Sequence, residues 1–242
     1  MARKETVAVG WIDGGGTRGE FTHSILALAQ LELQNPSDRY EIKDFIRWTG
    51  AYIPHNRNAL VREAKSMGYD WLLMIDCDES FNADLLRILM RSAQENTRPI
   101  ITGIYTNVVE FDVSDGAVVS NMLFKELEDG QYASVEPDGP SPFKIDACGT
   151  GLMLINLSVF DNIEEPWFWL ELIVPEGKDK PQMMSEDISF CRKAREAGYE
   201  IWCDPLAEAT HWKTLPMKSS TVRDFITKGN DVRQTLEEKA DI

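Results

Sequence analysis

The sequence predicts an α/β domain, a mostly parallel sheet flanked by helices, with a β-hairpin insertion and a C-terminal helical segment. Apolar runs of strand length alternate with segments of helical period from Val7 to Tyr105, the pattern of successive βαβ units. From Asn107 to Lys144 this gives way to short alternating pieces with Asp-Gly and Pro-Asp-Gly turns, which read as hairpins. From Ser219 a polar, mixed-charge stretch keeps Val222, Phe225 and Ile226 on one side, as a docked helix does.

Val7–Ile12 is a buried strand, and Asp13-Gly14-Gly15-Gly16-Thr17-Arg18-Gly19 is a loop that can approach a ligand closely. Phe21, Ile25, Leu28 and Ala29 then recur at helical spacing until Asn35-Pro36-Ser37. Tyr40–Trp48 is a second strand. Pro54 stands near the start of a helix that buries Leu60, Val61 and Ala64 and stops at Gly68. The apolar strand Trp71–Ile75 runs into Asp76-Cys77-Asp78-Glu79-Ser80, after which Asn82 caps a helix with Leu85, Leu86, Ile88 and Leu89 inward. Ile100–Tyr105 and Leu152–Ile155 are further strands, the latter preceded by Gly149-Thr150-Gly151. Glu186–Ala197 is a helix ended by Gly198, and Tyr199–Cys203 closes the core. Ligands of such sheets bind beyond the carboxyl ends of the strands, where the loops after Ile12 and Ile75 both lie.

A chain of 242 residues fits one domain. Its four cysteines include no C-x-x-C pair and read as buried thiols of a reduced compartment. The first residues lack the apolar stretch of a signal peptide, and no apolar run approaches the roughly 20 residues that cross a bilayer. A cytoplasmic chain without a membrane span is expected. A net charge of −15 disfavours general affinity for phosphate polymers. Serine and cysteine nucleophile schemes lack support, with three histidines and no G-x-S-x-G.

Three short motifs carry chemistry. Asp76-Cys77-Asp78 presents two carboxylates at a strand end, where a hard cation and its phosphates can be held; acids at a helix start answer the helix dipole equally well. Ser185-Glu186-Asp187 opens a helix and is by itself an N-cap followed by acids. Thr210-His211-Trp212 is by itself a structural histidine beside a tryptophan.

Taken in chain order with Gly149-Thr150-Gly151, these motifs resemble the GT-A glycosyltransferases, in particular family-two-like enzymes and their short single-domain versions in bacteriophages. Arg57-Asn58 and Pro166-Trp167-Phe168 extend the resemblance, which covers Val7 to Lys213. It implies a GT-A (Rossmann-like) sheet in a single catalytic domain. Residues 1–106 would be its nucleotide-sugar-binding half, 107–213 the insertion and acceptor half, and 214–242 a tail. It also implies a Mn2+ or Mg2+ cofactor on Asp78, His211 and Asp76. The implied donor is a nucleotide sugar, a UDP-sugar foremost, contacted by Asp13, Arg57, Asp76, Cys77, Asp78, Gly149 and Gly151. Glu186 and Asp187 would be the catalytic acids of a hexosyl- or pentosyltransferase, with Asp187 the base of an inverting displacement.

The first loop departs from the family, because Asp13-Gly14-Gly15-Gly16 stands where many members have a Pro, Tyr and Asn arrangement. That loop also matches the G-x-G-x-x-G of nicotinamide oxidoreductases, although the second strand ends at Arg47-Trp48-Thr49 with no acid for a ribose. A non-catalytic nucleotide-sugar- or carbohydrate-binding protein is a further alternative. The acceptor stays open among a glycan, a protein hydroxyl and a hydroxymethylated base in phage DNA; Lys213, Lys218, Arg223, Lys228 and Arg233 would have to supply the basic surface for DNA.

Overall fold

The computed structural model describes residues 3–95, 97–112, 116–174 and 180–214. The elements follow in the order β1 (Glu5–Asp13), α1 (Gly19–Gln34), β2 (Tyr40–Thr49), α2 (Ile53–Ser66), β3 (Trp71–Ile75), β4 (Glu79–Phe81), α3 (Leu85–Glu95) and β5 (Ile100–Ile104). Short strands come next: β6 (Thr106–Asp112), β7 (Gly116–Asn121), β8 (Leu123–Glu126), β9 (Tyr132–Ser134), β10 (Phe143–Ile145) and β11 (Ala147–Cys148). Then come β12 (Leu152–Asn156), β13 (Glu171–Ile173), β14 (Gln182–Met184), α4 (Glu186–Glu196) and β15 (Ile201–His211).

The main sheet has the order β10-β15-β5-β12-β3-β1-β2. Its pairings make β2, β1, β3, β5 and β15 run in one direction, while β12 and β10 oppose them. Strands this apolar must be covered on both faces. Accordingly Val7 and Val9 of β1 and Trp71, Leu73 and Ile75 of β3 pack with Phe21 and Leu28 of α1 and Leu85, Leu86 and Leu89 of α3. The alternate residues Ala8, Leu72 and Met74 pack on the other face with Leu60, Val61 and Ala64 of α2 and Phe190, Cys191 and Ala194 of α4. Cys148, Cys191 and Cys203 are buried free thiols and Cys77 is half-buried.

The reversed β12 matters most for the site. Because it runs against β3 and β5, the Gly149-Thr150-Gly151 loop at its start lies at the same sheet end as the residues that follow β3 and β5. The hydrogen bond from Asp76 N to the Gly151 carbonyl, 2.8 Å, closes that junction. The expected end of the last strand at Cys203 needs correction, since β15 continues to His211. Asp204-Pro205 reads as a strand terminator, but it falls in a register shift between Cys203 and Glu208, where a proline is tolerated. Beyond the shift β15 pairs with β4, placing His211 opposite Glu79.

The chain divides into two compact units. Residues up to Thr106 and from Asn121 to Trp212 form the one just described, with β8 pairing β9 and β11, and β13 pairing β14. The other comprises Asn107–Ser120 and the chain from Lys213; within it most of β6 and β7 pair with each other. The C-terminal helix expected from Ser219, and Lys218, Arg223, Lys228 and Arg233, lie outside the described residues; Lys213 is described and exposed. No helix among the described residues is long and apolar enough to cross a membrane.

Candidate active site

Arg57 organises one half of the site. It sits on α2 with its side chain only 7% exposed. Its guanidinium donates Nε–H to Glu186 Oε1 at 3.2 Å, Nη1–H to the Thr150 carbonyl at 3.1 Å and Nη2–H to Asp76 Oδ1 at 3.3 Å. Burial works against the charge on Arg57, but Asp76, Glu186 and Asp187 outweigh it and hold the group cationic. One cation therefore ties the Asp76 loop, the glycine loop and the start of α4 together. Arg57 is expected to contact the nucleotide-sugar donor; three of its N–H groups are held by the protein itself.

Asp76 was expected to be a metal ligand as well as a donor contact, and it is turned towards Arg57. Among the described residues no three His, Cys, Asp or Glu side chains converge as a metal-holding group. Asp78 and His211 do meet, with Nε2 and Oδ2 3.0 Å apart. One main-chain and one side-chain tie fix this contact: Trp212 N–H donates to the Asp78 carbonyl at 2.8 Å, and Trp212 Nε1–H donates to Ser80 Oγ at 2.8 Å. The other nitrogen of His211, Nδ1, lies 3.0 Å from the Thr106 carbonyl, which can only accept. Asp78 Oδ2 is likewise an acceptor, so a neutral ring can donate to only one of the two; when Nδ1 donates to the Thr106 carbonyl, the Nε2 lone pair faces the carboxylate. That arrangement suits a cation shared between Nε2 and Oδ2, and a carbonyl behind a ligating imidazole is the usual orienting partner. The residues present fit a divalent ion held by one carboxylate and one imidazole, with phosphate oxygens supplying further ligands.

Glu186 and Asp187 open α4. Ser185 is the N-cap residue, yet its hydroxyl caps no backbone amide and donates instead to Asp187 Oδ1. The same oxygen accepts Ile188 N–H at 2.8 Å. Burial and the neighbouring Asp187 raise the Glu186 carboxyl above its ordinary value, against the pull of Arg57.

Two residues that the sequence reading passed over lie at the centre. Tyr105, just past β5, is buried, and its hydroxyl accepts Gly151 N–H at 3.1 Å. Its ring stands edge-on to His211, with centroids 5.9 Å apart. Burial first, then Glu79, Asp76 and Asp187, push its pKa well up, so it stays a neutral hydroxyl. Glu79 on β4 is fully buried. A Cβ on Gly151 would fall 2.5 Å from Glu79 Oε1, 2.9 Å from Tyr105 Cζ and 3.0 Å from Asp76 Oδ2, and one on Gly149 would fall 1.9 Å from the Tyr105 hydroxyl. Both glycines thus admit Tyr105 and the acids to the junction. A strand-end tyrosine and an acid inside a short β-ribbon carry no local sequence signal.

The first loop borders this cluster through the hydrogen bond from Arg18 N–H to the Cys77 carbonyl, 3.1 Å. Burial, then Asp78, Asp76 and Asp13, push the Cys77 thiol up to about 11, so it is a neutral thiol at pH 7. Asp13 faces Arg47, accepting Nε–H at 2.6 Å and Nη2–H at 3.1 Å, and it also accepts Gly15 N–H at 2.8 Å. The exposed partner at this edge is Arg47.

No protein-family model matches the sequence, and no curated protein matches it either. The crystal structure of A197 from STIV is similar in fold at 15% identity, covering 86% of each chain with a TM-score of 0.51. The crystal structure of GalNAc-T7 with UDP, GalNAc and Mn2+ is similar at 11% identity and a TM-score of 0.55, covering 91% of this chain and 47% of that one.

The fold is of the GT-A type. Here β12 runs against both of its neighbours in the middle of the sheet, where a dinucleotide-binding fold has parallel strands. The glycines of the first loop fit that rival no better. In its fingerprint the last glycine permits close helix–strand packing, whereas a Cβ on Gly19 would meet nothing within 4 Å.

Proposed function

We propose that this chain is a metal-dependent glycosyltransferase that takes a sugar from a nucleotide diphosphate sugar, a UDP-sugar foremost, and joins it to an acceptor hydroxyl with inversion. The observation that supports this most is the meeting of Asp78 and His211 at the mouth of a GT-A sheet, with His211 oriented by the Thr106 carbonyl. The GalNAc-T7 structure similar in fold contains UDP, GalNAc and Mn2+. Bound Mn2+ or Mg2+ would stabilise the charge developing on the departing diphosphate.

In this reading Asp78 and His211 would hold the ion, and Arg57 keeps Asp76 and Glu186 in fixed register. Asp187 is the base. Ser185 and the Ile188 amide engage its Oδ1 and leave Oδ2 to accept the acceptor proton. A bond forms between the acceptor oxygen and the anomeric carbon as the bond from that carbon to the diphosphate oxygen breaks. The proton goes to Asp187 and the electron pair leaves with the nucleoside diphosphate.

A panel of nucleotide sugars, scored for nucleoside diphosphate release with Mn2+ or Mg2+ and with excess chelator, tests the reading. Release should require the cation. Asp187→Asn should bind donor but lose transfer by about a hundredfold or more, and Asp78→Asn should weaken donor binding itself. Full release in excess chelator would remove the metal from the scheme. Donor binding without turnover would favour a carbohydrate-binding module, and nicotinamide binding an oxidoreductase.

A further inference from the structure

We propose that Trp169 and Tyr52 form a rigid aromatic platform beside the catalytic acids, on which a pyranose ring of a neutral glycan acceptor stacks. The inference rests on the glycosyltransferase reading and names the class of its acceptor.

Trp169 is 44% exposed and Tyr52 49% exposed, and their rings meet edge to face with centroids 6.2 Å apart. Exposed aromatics are ordinary when they stand singly on mobile chain. Trp169 instead follows Trp167 and Phe168, which are buried, and Phe168 stacks on Phe190 of α4 at 4.6 Å. Asn58 bolts this segment to α2: its Oδ1 accepts Trp167 N–H at 2.9 Å and Phe168 N–H at 3.2 Å, and its Nδ2 donates to the Phe168 carbonyl at 2.7 Å. Tyr52 is the N-cap residue of the same helix. An aromatic surface held this way costs little ordering entropy when a ligand covers it.

Two independent connections bring the platform to the acids. Asn58 adjoins Arg57, which donates to Glu186. In the β13–β14 ribbon Glu171 pairs with Met184, so Trp169, two residues before Glu171, and Glu186, two residues after Met184, leave the ribbon at the same end. The occupant follows from chemistry. The C–H face of a pyranose is slightly positive and matches the electron-rich face of an indole, while its hydroxyls stay at the rim within reach of a base. Nucleic acid bases also stack on tryptophan, but their phosphates would meet a chain of net charge −15.

The test uses the full chain with UDP and Mn2+ on a surface array of neutral oligosaccharides, with a single-stranded oligonucleotide bearing hydroxymethylated pyrimidines on the same array. The wild type should bind neutral glycans. Trp169→Ala should weaken that binding about tenfold or more, Tyr52→Ala should weaken it less, and Trp169→Phe should restore most of it. Thermal midpoints and UDP affinity report the folding of each variant. UDP binding with glycan affinity indifferent to Trp169, with no glycan bound, or with only the oligonucleotide bound overturns the platform alone. A self-association in sedimentation that Trp169→Ala abolishes also overturns it, in favour of a second copy. Absence of UDP binding by the wild type overturns the glycosyltransferase reading, and the platform with it.

Discussion

At Asp13 two forces act in opposite directions on one carboxyl. The hydrogen bond from Arg47 lowers its pKa, burial raises it, and the Gly15 amide adds to the lowering, so the folded value lies below the ordinary 3.8. A depressed acid contributes stability above its unfolded pKa and loses it as pH falls through the folded value. Asp13→Asn should therefore be less stable than the wild type at neutral pH, with the gap closing as pH falls below 3.8, measured by denaturant melts across the acid range. The Arg47 side chain is 48% exposed, so solvent screens the pair and keeps the expected gap small. A gap independent of pH would mean that the carboxyl titrates alike in the folded and the unfolded chain. Asp13 was visible in the sequence as an acid at a strand end, but its partner lies 34 residues away on β2 and only strand pairing reveals it.

The element that decides the site is β15. It pairs Cys203 with Thr102 and then Glu208 with Ile104, so extra residues bulge out before the strand delivers His211. Gly103 sits opposite that bulge, where a Cβ would lie 2.2 Å from the Ala207 carbonyl oxygen and 2.5 Å from Leu152 Cδ2. Backbone cannot swing aside as a flexible side chain can. Gly103→Ala should cost about 1–3 kcal/mol and also reduce metal-stimulated donor release, because the displaced bulge carries the tip of β15. Gly19→Ala, where a Cβ meets nothing within 4 Å, is the control and should leave the melt essentially unmoved. Equal melting of wild type and Gly103→Ala would show that the two strands separate at no cost. Glycine and proline within a strand signal irregularity in any sequence, but they do not say where the strand resumes.

Across the whole molecule, the net charge of −15 sets a field that no single residue shows. Like charges repel in the compact state more than in the expanded one. The thermal midpoint should therefore rise by several degrees as ionic strength goes from about 10 to 150 mM, where the screening length shrinks from roughly 30 to 8 Å. A fall over that range would mean that local pairs such as Arg3–Asp70 and Lys65–Asp161 outweigh the global repulsion. The same field acts on the acceptor, since it repels a phosphate polymer and leaves a neutral sugar indifferent.

The sequence by itself determined the layered α/β architecture, because strands such as Trp71–Ile75 must be covered on both faces and the helical segments between them present single apolar faces. It also marked Asp76, Asp78, Glu186, Asp187 and His211 as candidates, since polar residues at the ends of apolar elements stand out without coordinates. Tertiary structure alone decided which of these meet. Asp78 and His211 are 133 residues apart and touch because β15 bulges and pairs with β4. Asp76 turns to Arg57, and Tyr105 and Glu79 enter the centre, because β12 reverses and brings its glycine loop to the end of the sheet where β3 and β5 finish. Periodicity records which face of an element is buried; which ends coincide depends on strand direction and register, and these are set by long-range pairing.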